Sequence, residues 1–242
     1  MMDWKWRSLL FCLPLLLFFS CSDNEVEQIR VTVPPGVTVP ENMVYIPEGE
    51  FVFGHPSAPK TALGKTVHLD AYLIDRYEVS RGDYSRFDPE YTIDDSKAPF
   101  PKTHVTYQQA EAFCRWADKR LPTEQEWEKA ARGTDDRKWP WLMYQQHPNN
   151  GFSGFLPEPV DKRDEWISPY GVYGMGHNVW EWTSTDYDYN GMPGRDRGKF
   201  KVIRGGLLQS HLKIDFTPTW HRNYMEPDAH YNFLGFRCAK DP

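Results

Sequence analysis

Hydrophobic and polar positions change period several times along this chain. Met43-Val44-Tyr45-Ile46-Pro47 and Glu50-Phe51-Val52-Phe53-Gly54 predict two short strands around a Glu48-Gly49 turn. Residues 67–74 alternate again and run into Asp75-Arg76-Tyr77-Glu78-Val79. Three helix starts follow. Ser80 stands three residues before Asp83 and opens a short helix to Phe87. Thr106 precedes Gln109 at capping-box spacing. Ala110, Phe113, Cys114 and Ala117 then recur at i, i+3, i+4 and i+7, one buried helical face. Thr123 precedes Glu126 in a second capping box behind Pro122. Trp127, Ala130 and Ala131 supply that helix's apolar face, and Gly133 stops it.

Beyond Gly133 the period fades. Residues 134–169, 186–199 and 211–232 carry Pro, Asn and aromatic residues without an apolar run, so they read as long loops. Loops of that length in a compact domain are usually functional. Short strands are expected at 201–204 and 234–238. The chain shows no internal repeat and no low-complexity tract.

The first 20 residues read as a leader. Lys5 and Arg7 precede an apolar stretch from Leu9 to Phe19, too short for the roughly 20 residues a membrane span needs. The sequence Leu17-Phe18-Phe19-Ser20-Cys21 resembles a bacterial lipobox, which implies a diacylglycerol on Cys21. Phe18 stands where leucine is commonest, so ordinary signal cleavage and a retained anchor stay open as alternatives. The acid- and then Pro/Thr/Val-rich segment of residues 21–40 is expected to be an extended tether. Residues 41–242 then suit one domain. The chain is thus expected to be exported and membrane-anchored, facing the periplasm or the cell surface.

Composition narrows the function. The net charge is −6, and the leader carries Lys5, Arg7 and Asp3, so its removal makes the remainder more acidic. An acidic chain with no basic run argues against a nucleic-acid partner. Aromatic residues at 15% with 20 prolines suggest a loop-rich domain built on large rings. With Cys12 in the leader and Cys21 lipidated, Cys114 and Cys238 remain. An even pair in an exported chain favours a disulfide, with two separate buried thiols as the alternative. Closing a loop that long contributes roughly 4–5 kcal/mol in the entropy model.

The densest chemistry lies in residues 171–182, Gly-Val-Tyr-Gly-Met-Gly-His-Asn-Val-Trp-Glu-Trp. A plain core strand would seldom bury Asn178 and Glu181 among tryptophans, because an unpaired buried polar group costs about 1–3 kcal/mol. This run resembles the central signature of the formylglycine-generating enzyme (sulfatase-modifying factor) family. Further segments resemble the family in order. They are Met43-Val44-Tyr45-Ile46-Pro47, Ile74-Asp75-Arg76-Tyr77-Glu78-Val79-Ser80, Phe113-Cys114-Arg115-Trp116 on through Arg132-Gly133, Arg204-Gly205-Gly206, and Gly235-Phe236-Arg237-Cys238-Ala239. The resemblance implies an α+β fold, a loop-rich variant of the C-type lectin fold with short sheets, a few helices and bound calcium. It also implies a Cys114–Cys238 bridge.

The family's enzymes use two copper-binding cysteines a few residues after the Gly-Gly. Here no cysteine stands between Arg204 and Arg237. Thiolates are what hold soft Cu(I), so no copper is expected. The residues with chemistry in and near that stretch are Ser210, His211 and His221, with Asp215, Asp228 and His230 as further candidates for a metal set. For calcium, the resemblance implies backbone oxygens of His177 and Val179 with the Glu181 side chain, ligands of the oxygen type that Ca²⁺ takes. A family Asn or Asp ligand position falls at Gly174, and Asn178 is expected to orient the loop. A second calcium site maps to Asn149, Asn150 and Phe152. From the residues alone, Glu181 reads equally as a buried carboxylate bonded to backbone amides. Arg76, Glu78, Arg120, Glu124, Arg132, Arg222 and Arg237 read as pairs that lock loops. The expectation is an envelope lipoprotein whose domain binds a protein, peptide or glycan without catalysis. The alternative is a metal-dependent oxidative or maturation enzyme with a rebuilt active site.

Overall fold

The computed structural model describes residues 28–56, 64–141, 157–187, 198–210 and 213–242. Among them the chain forms four small sheets and three helices joined by long irregular segments. Strand β1 (Met43–Ile46) pairs antiparallel with β4 (Tyr72–Asp75), and β11 (Ala239–Lys240) lies on β4's other edge. The second sheet has the order β10-β5-β6-β9, from β5 (Trp180–Asp186), β6 (Lys201–Gly205), β9 (Asn223–Met225) and β10 (Leu234–Phe236). β10 runs parallel to β5, with Gly235 opposite Glu181. Two hairpins complete the set: β2 (Gly49–Phe53) with β3 (Lys65–Leu69), and β7 (Leu207–Ser210) with β8 (Lys213–Phe216). No helix among the described residues is long and apolar enough to cross a membrane.

Helix starts follow local chemistry. α1 (Arg81–Phe87), α2 (Tyr107–Trp116) and α3 (Glu124–Arg132) each open with a capping box, at Ser80/Asp83, Thr106/Gln109 and Thr123/Glu126. In α2 the buried side chains are Ala110, Phe113 and Cys114, as the period predicts. Cys114 meets Cys238 in a disulfide across 124 residues, tying α2 to the end of the chain.

α3 departs from an ordinary amphipathic helix. Besides Trp127, Ala130 and Ala131 it buries Glu124, Glu126, Glu128, Lys129 and Arg132. Glu128, Lys129 and Arg132 serve as clips for β2 and the residues flanking it, on the edge that β3 does not pair. Lys129 Nζ donates to the carbonyls of Pro47 (2.7 Å) and Gly49 (3.0 Å). Arg132 Nη1 donates to those of Val52 and Gly54 (both 2.8 Å), while Gly54 N donates to Glu128 (2.7 Å). A buried polar backbone must find partners, and here a helix supplies them.

Four expectations change. The strands either side of the Glu48-Gly49 turn do not pair with each other, since β1 joins β4 and β2 joins β3. Residues 67–74 form no single strand: the chain breaks at Asp70-Ala71 and enters two different sheets. The expected tether docks in its second half. Ile29 N donates to Pro169 O at 2.7 Å, and Ile29, Val31, Val37 and Val39 pack against the core. The folded unit therefore includes residues from about 28 onward, because alternating apolar side chains find hydrophobic clusters to cover. β8 and β9 also lie within 211–232, which reads as loop by period alone.

Candidate functional site

The loop before β5 is shaped by residues that tolerate left-handed backbone. Gly171, Gly174 and Asn178 have φ of 84°, 76° and 69°. Ser168 Oγ caps the turn by accepting from Tyr170 N and Val172 N. Asn178 orients the loop, as expected: its Oδ1 accepts from Glu158 N (2.9 Å), and its Nδ2 donates to Glu78 Oε1 (3.0 Å) and Glu158 O (3.3 Å).

Beneath this loop lie two buried carboxylates and one guanidinium. Glu181 receives Arg237 Nε (2.7 Å), Arg237 Nη2 (2.8 Å) and Trp127 Nε1 (2.9 Å). Its partners are thus a cation and an indole, where backbone amides were the alternative. Arg237 also donates to the carbonyls of Asp75, Arg76 and Tyr173, so it joins four segments. Glu78 is buried, and its Oε2 finds no partner among the described residues. Burial pushes its carboxyl up to about 8, and Glu181 adds to the rise, while Arg237 and Asn178 oppose it.

This arrangement tests the implied calcium. Gly174 offers no side chain, and a Cβ there would lie 2.5 Å from Glu78 Oε1, so Glu78 fills that space. Burial keeps Glu78 mostly protonated at neutral pH, so Glu181 and Arg237 balance and one Glu78 oxygen is unpartnered; ionising Glu78 would leave the cluster one positive charge short. That chemistry fits an oxygen-seeking cation, with Glu78 supplying the carboxylate that position 174 lacks. The carboxylates are only two, and no group of three or more His, Cys, Asp or Glu that could hold a metal occurs among the described residues. Any ion here would depend on loop carbonyls such as those of His177 and Val179. Asn149, Asn150 and Phe152 lie outside the described residues.

The Arg-Gly-Gly segment lies on the neighbouring strand, with Arg204 opposite Glu181 in the β5–β6 register. Arg204 on β6 is buried and donates through Nη2 to Glu128 Oε2 and Thr219 O, both at 2.6 Å, above the Trp127 ring. A Cβ at Gly206 (φ 69°) would fall 2.4 Å from Trp180, so only glycine fits. The chain then enters the β7–β8 hairpin, where Ser210 pairs with Lys213. The side chains of Ser210 and Asp215, and His211 altogether, lie outside what is described. His221 follows a turn and sets its ring 5.9 Å from Trp180. Burial and nearby Arg204 hold that imidazole below its usual pKa, so it is neutral at pH 7. His221 and Gly206 thus share Trp180 as neighbour. His230 is exposed and turned back on the Asp228 carbonyl (3.0 Å), apart from that group.

The arginines and glutamates singled out from the motifs do tie loops. Arg120 forks onto Glu126 (2.9 and 2.7 Å), Arg222 meets Glu124 (2.7 Å), and Arg132 pairs with Glu128 and Asp136. Arg76 reaches Gly171 O at 3.4 Å. Three features escape the sequence reading. Glu78 faces the loop before β5 at Gly174 and Asn178, although it stands inside a motif already noted. The His177 ring is buried beside Trp141 and Trp166. Lys102 is buried with its amine over Tyr84 (4.7 Å) and Tyr91 (4.0 Å).

Comparison with known proteins agrees with this architecture. Residues 30–242 match the sulfatase-modifying factor enzyme 1-like domain. The formylglycine-generating enzyme of Thermomonospora curvata is 29% identical over 84% of this chain and 95% of its own length. An uncharacterized protein of Bacillus subtilis, YfmG, is 27% identical over 84% of this chain and 55% of its length. The inactive C-alpha-formylglycine-generating enzyme 2 of Bos taurus is 35% identical over 59% of this chain and 51% of its length. The chain therefore spans about half the length of some of these relatives. In fold it is similar to PvdO from Pseudomonas aeruginosa, with a TM-score of 0.66, 21% identity, and 83% and 94% of the two chains covered. With a family match that runs through both the Glu181 loop and the Arg-Gly-Gly strand, this chain belongs to the sulfatase-modifying factor enzyme 1-like domain family.

Proposed function

We propose that this protein is a lipid-anchored envelope protein whose formylglycine-generating-enzyme-like domain binds a protein, peptide or glycan and does not make formylglycine. The observation that carries this reading is the absence of any cysteine from Arg204 to Arg237. Serine and aspartate cannot replace two thiolates as ligands for Cu(I). The buried ion pairs beneath the loops support a rigid frame, and fold alone does not fix chemistry. Calcium at the Glu78–Glu181 cluster would stiffen that frame. Export through residues 1–20 and acylation of Cys21 would place the domain at a membrane surface.

The test is elemental analysis of the purified mature chain, dialysed without chelator, with mass spectrometry of its N-terminal peptide. Calcium alone, near one per chain, and acyl mass on Cys21 are the expected results. Stoichiometric copper or iron that is lost in His211→Ala or His221→Ala would overturn the non-catalytic reading. The neutral His221 beside Trp180 is the observation that would then matter, in an oxidative enzyme built on Ser210, His211 and His221.

A further inference from the structure

The rings of Trp139, Trp141, Trp166 and Phe216 form a closed cluster, and the His177 ring stands against it. Trp141 meets Phe216 at 4.9 Å and 77°, and Trp166 meets Phe216 at 5.0 Å and 73°. His177 meets Trp166 at 4.9 Å and 82°, and Trp141 at 6.2 Å and 71°. Edge-to-face contacts of this kind are favourable for the carbon edges. Such contacts do not by themselves satisfy a ring nitrogen.

Two nitrogens in this cluster have no hydrogen-bond partner among the described residues: Trp141 Nε1 and His177 Nδ1. Their residues are 2% and 3% exposed, so bulk water does not serve them. Indole offers only a donor, and a neutral imidazole offers one donor and one acceptor. An unmet buried polar group costs about 1–3 kcal/mol, and two in one place would be an expensive defect. Small polar molecules resolve such defects when they have both a donor and an acceptor.

We propose that Trp141 and His177 form a built site for one internal water-sized ligand, which accepts from Trp141 Nε1 and donates to His177 Nδ1. Three segments that share no sheet converge there. Trp141 follows α3, His177 belongs to the loop before β5, and Phe216 ends the β7–β8 hairpin. A Cβ on Gly176 would fall 3.1 Å from Pro140 and 3.4 Å from Thr217 O, which shows how closely these segments approach. The bridge therefore roots the hairpin that follows Arg-Gly-Gly, whether or not that hairpin is catalytic.

The experiment is a double-mutant cycle on the full mature chain, using Trp141→Phe, His177→Phe and the double variant. A bridging ligand makes each single variant melt about 2–6 °C lower, and the double variant melt higher than the two losses would sum to. The two rings also touch, so non-additivity alone does not decide; if nothing bridges them, each substitution removes an unsatisfied atom and leaves the melting temperature level or raised. Neutral or stabilising single effects would overturn the proposal. Should a variant fail to fold, a high-resolution crystal structure of the wild type decides. Density for one water within hydrogen-bond distance of both nitrogens is expected, and a dry contact would overturn it.

Discussion

Glu181 and Arg237 are joined by two parallel hydrogen bonds of 2.7 and 2.8 Å, and neither side chain reaches solvent. The pair bridges β5 to the residue after β10, beside the Cys114–Cys238 disulfide. Because Arg237 also donates to three carbonyls, of Asp75, Arg76 and Tyr173, it acts as a hub between the end of β4, the loop before β5 and β5 itself.

Removing that hub leaves Glu181 as an uncompensated buried charge. Arg237→Met should destabilise the domain by about 3–5 kcal/mol. Urea unfolding followed by tryptophan fluorescence measures this. A loss under about 1 kcal/mol would mean that the pair is replaceable, as surface pairs are.

Calcium should stabilise the wild type through the Glu78–Glu181 cluster. At a hundredfold excess over its dissociation constant, a ligand that binds only the folded state adds about 2.7 kcal/mol. Glu78→Gln should keep the fold and lose most of the calcium-dependent rise in melting temperature. An equal rise in both proteins would place the ion elsewhere.

The docked N-terminal segment predicts where the domain can be cut. A chain beginning at Glu41 loses the contacts of Ile29, Val31, Val37 and Val39. Buried aliphatic side chains contribute about 1.5–3 kcal/mol each when fully covered. These are partly covered, so the truncated chain should melt measurably lower than one beginning at residue 28. Equal melting temperatures in a thermal scan would show that the segment rests on the surface without stabilising it.

Lys102 should titrate near 8, because burial disfavours its charge and Arg81 adds to the effect, against Asp88. An ordinary lysine titrates at about 10.4. Between those values the unfolded chain holds a proton that the folded chain has released. Stability from this group therefore rises with pH across the window. Relative to Lys102→Met, the wild type should gain stability between about pH 8 and pH 10. Chemical denaturation at several pH values reads the difference, and parallel curves would contradict it.

Helix starts were legible because a capping box is a contact between residues three apart. Ser80, Thr106 and Thr123 need only their own neighbours. The partners of Met43–Ile46 were not legible, since β4 and β11 come from distant parts of the chain. The alternation of Ile29, Val31, Val37 and Val39 was present in the sequence, but prolines and threonines around it matched a tether equally well. Only the clusters they cover distinguish the two.

The candidate site divides the same way. The order of motifs through Glu181, Arg204 and Arg237 identified the family, and the missing cysteines are the ground on which a non-catalytic role is proposed. Those are properties of residue type and order. That Glu78 fills the space above Gly174, that Arg237 claims both oxygens of Glu181, and that Trp141 and His177 share one enclosed cluster are properties of three-dimensional packing. Burial decides them: the desolvation that makes a carboxylate or imidazole chemically distinctive depends on which distant segments cover it, and local sequence does not encode that cover.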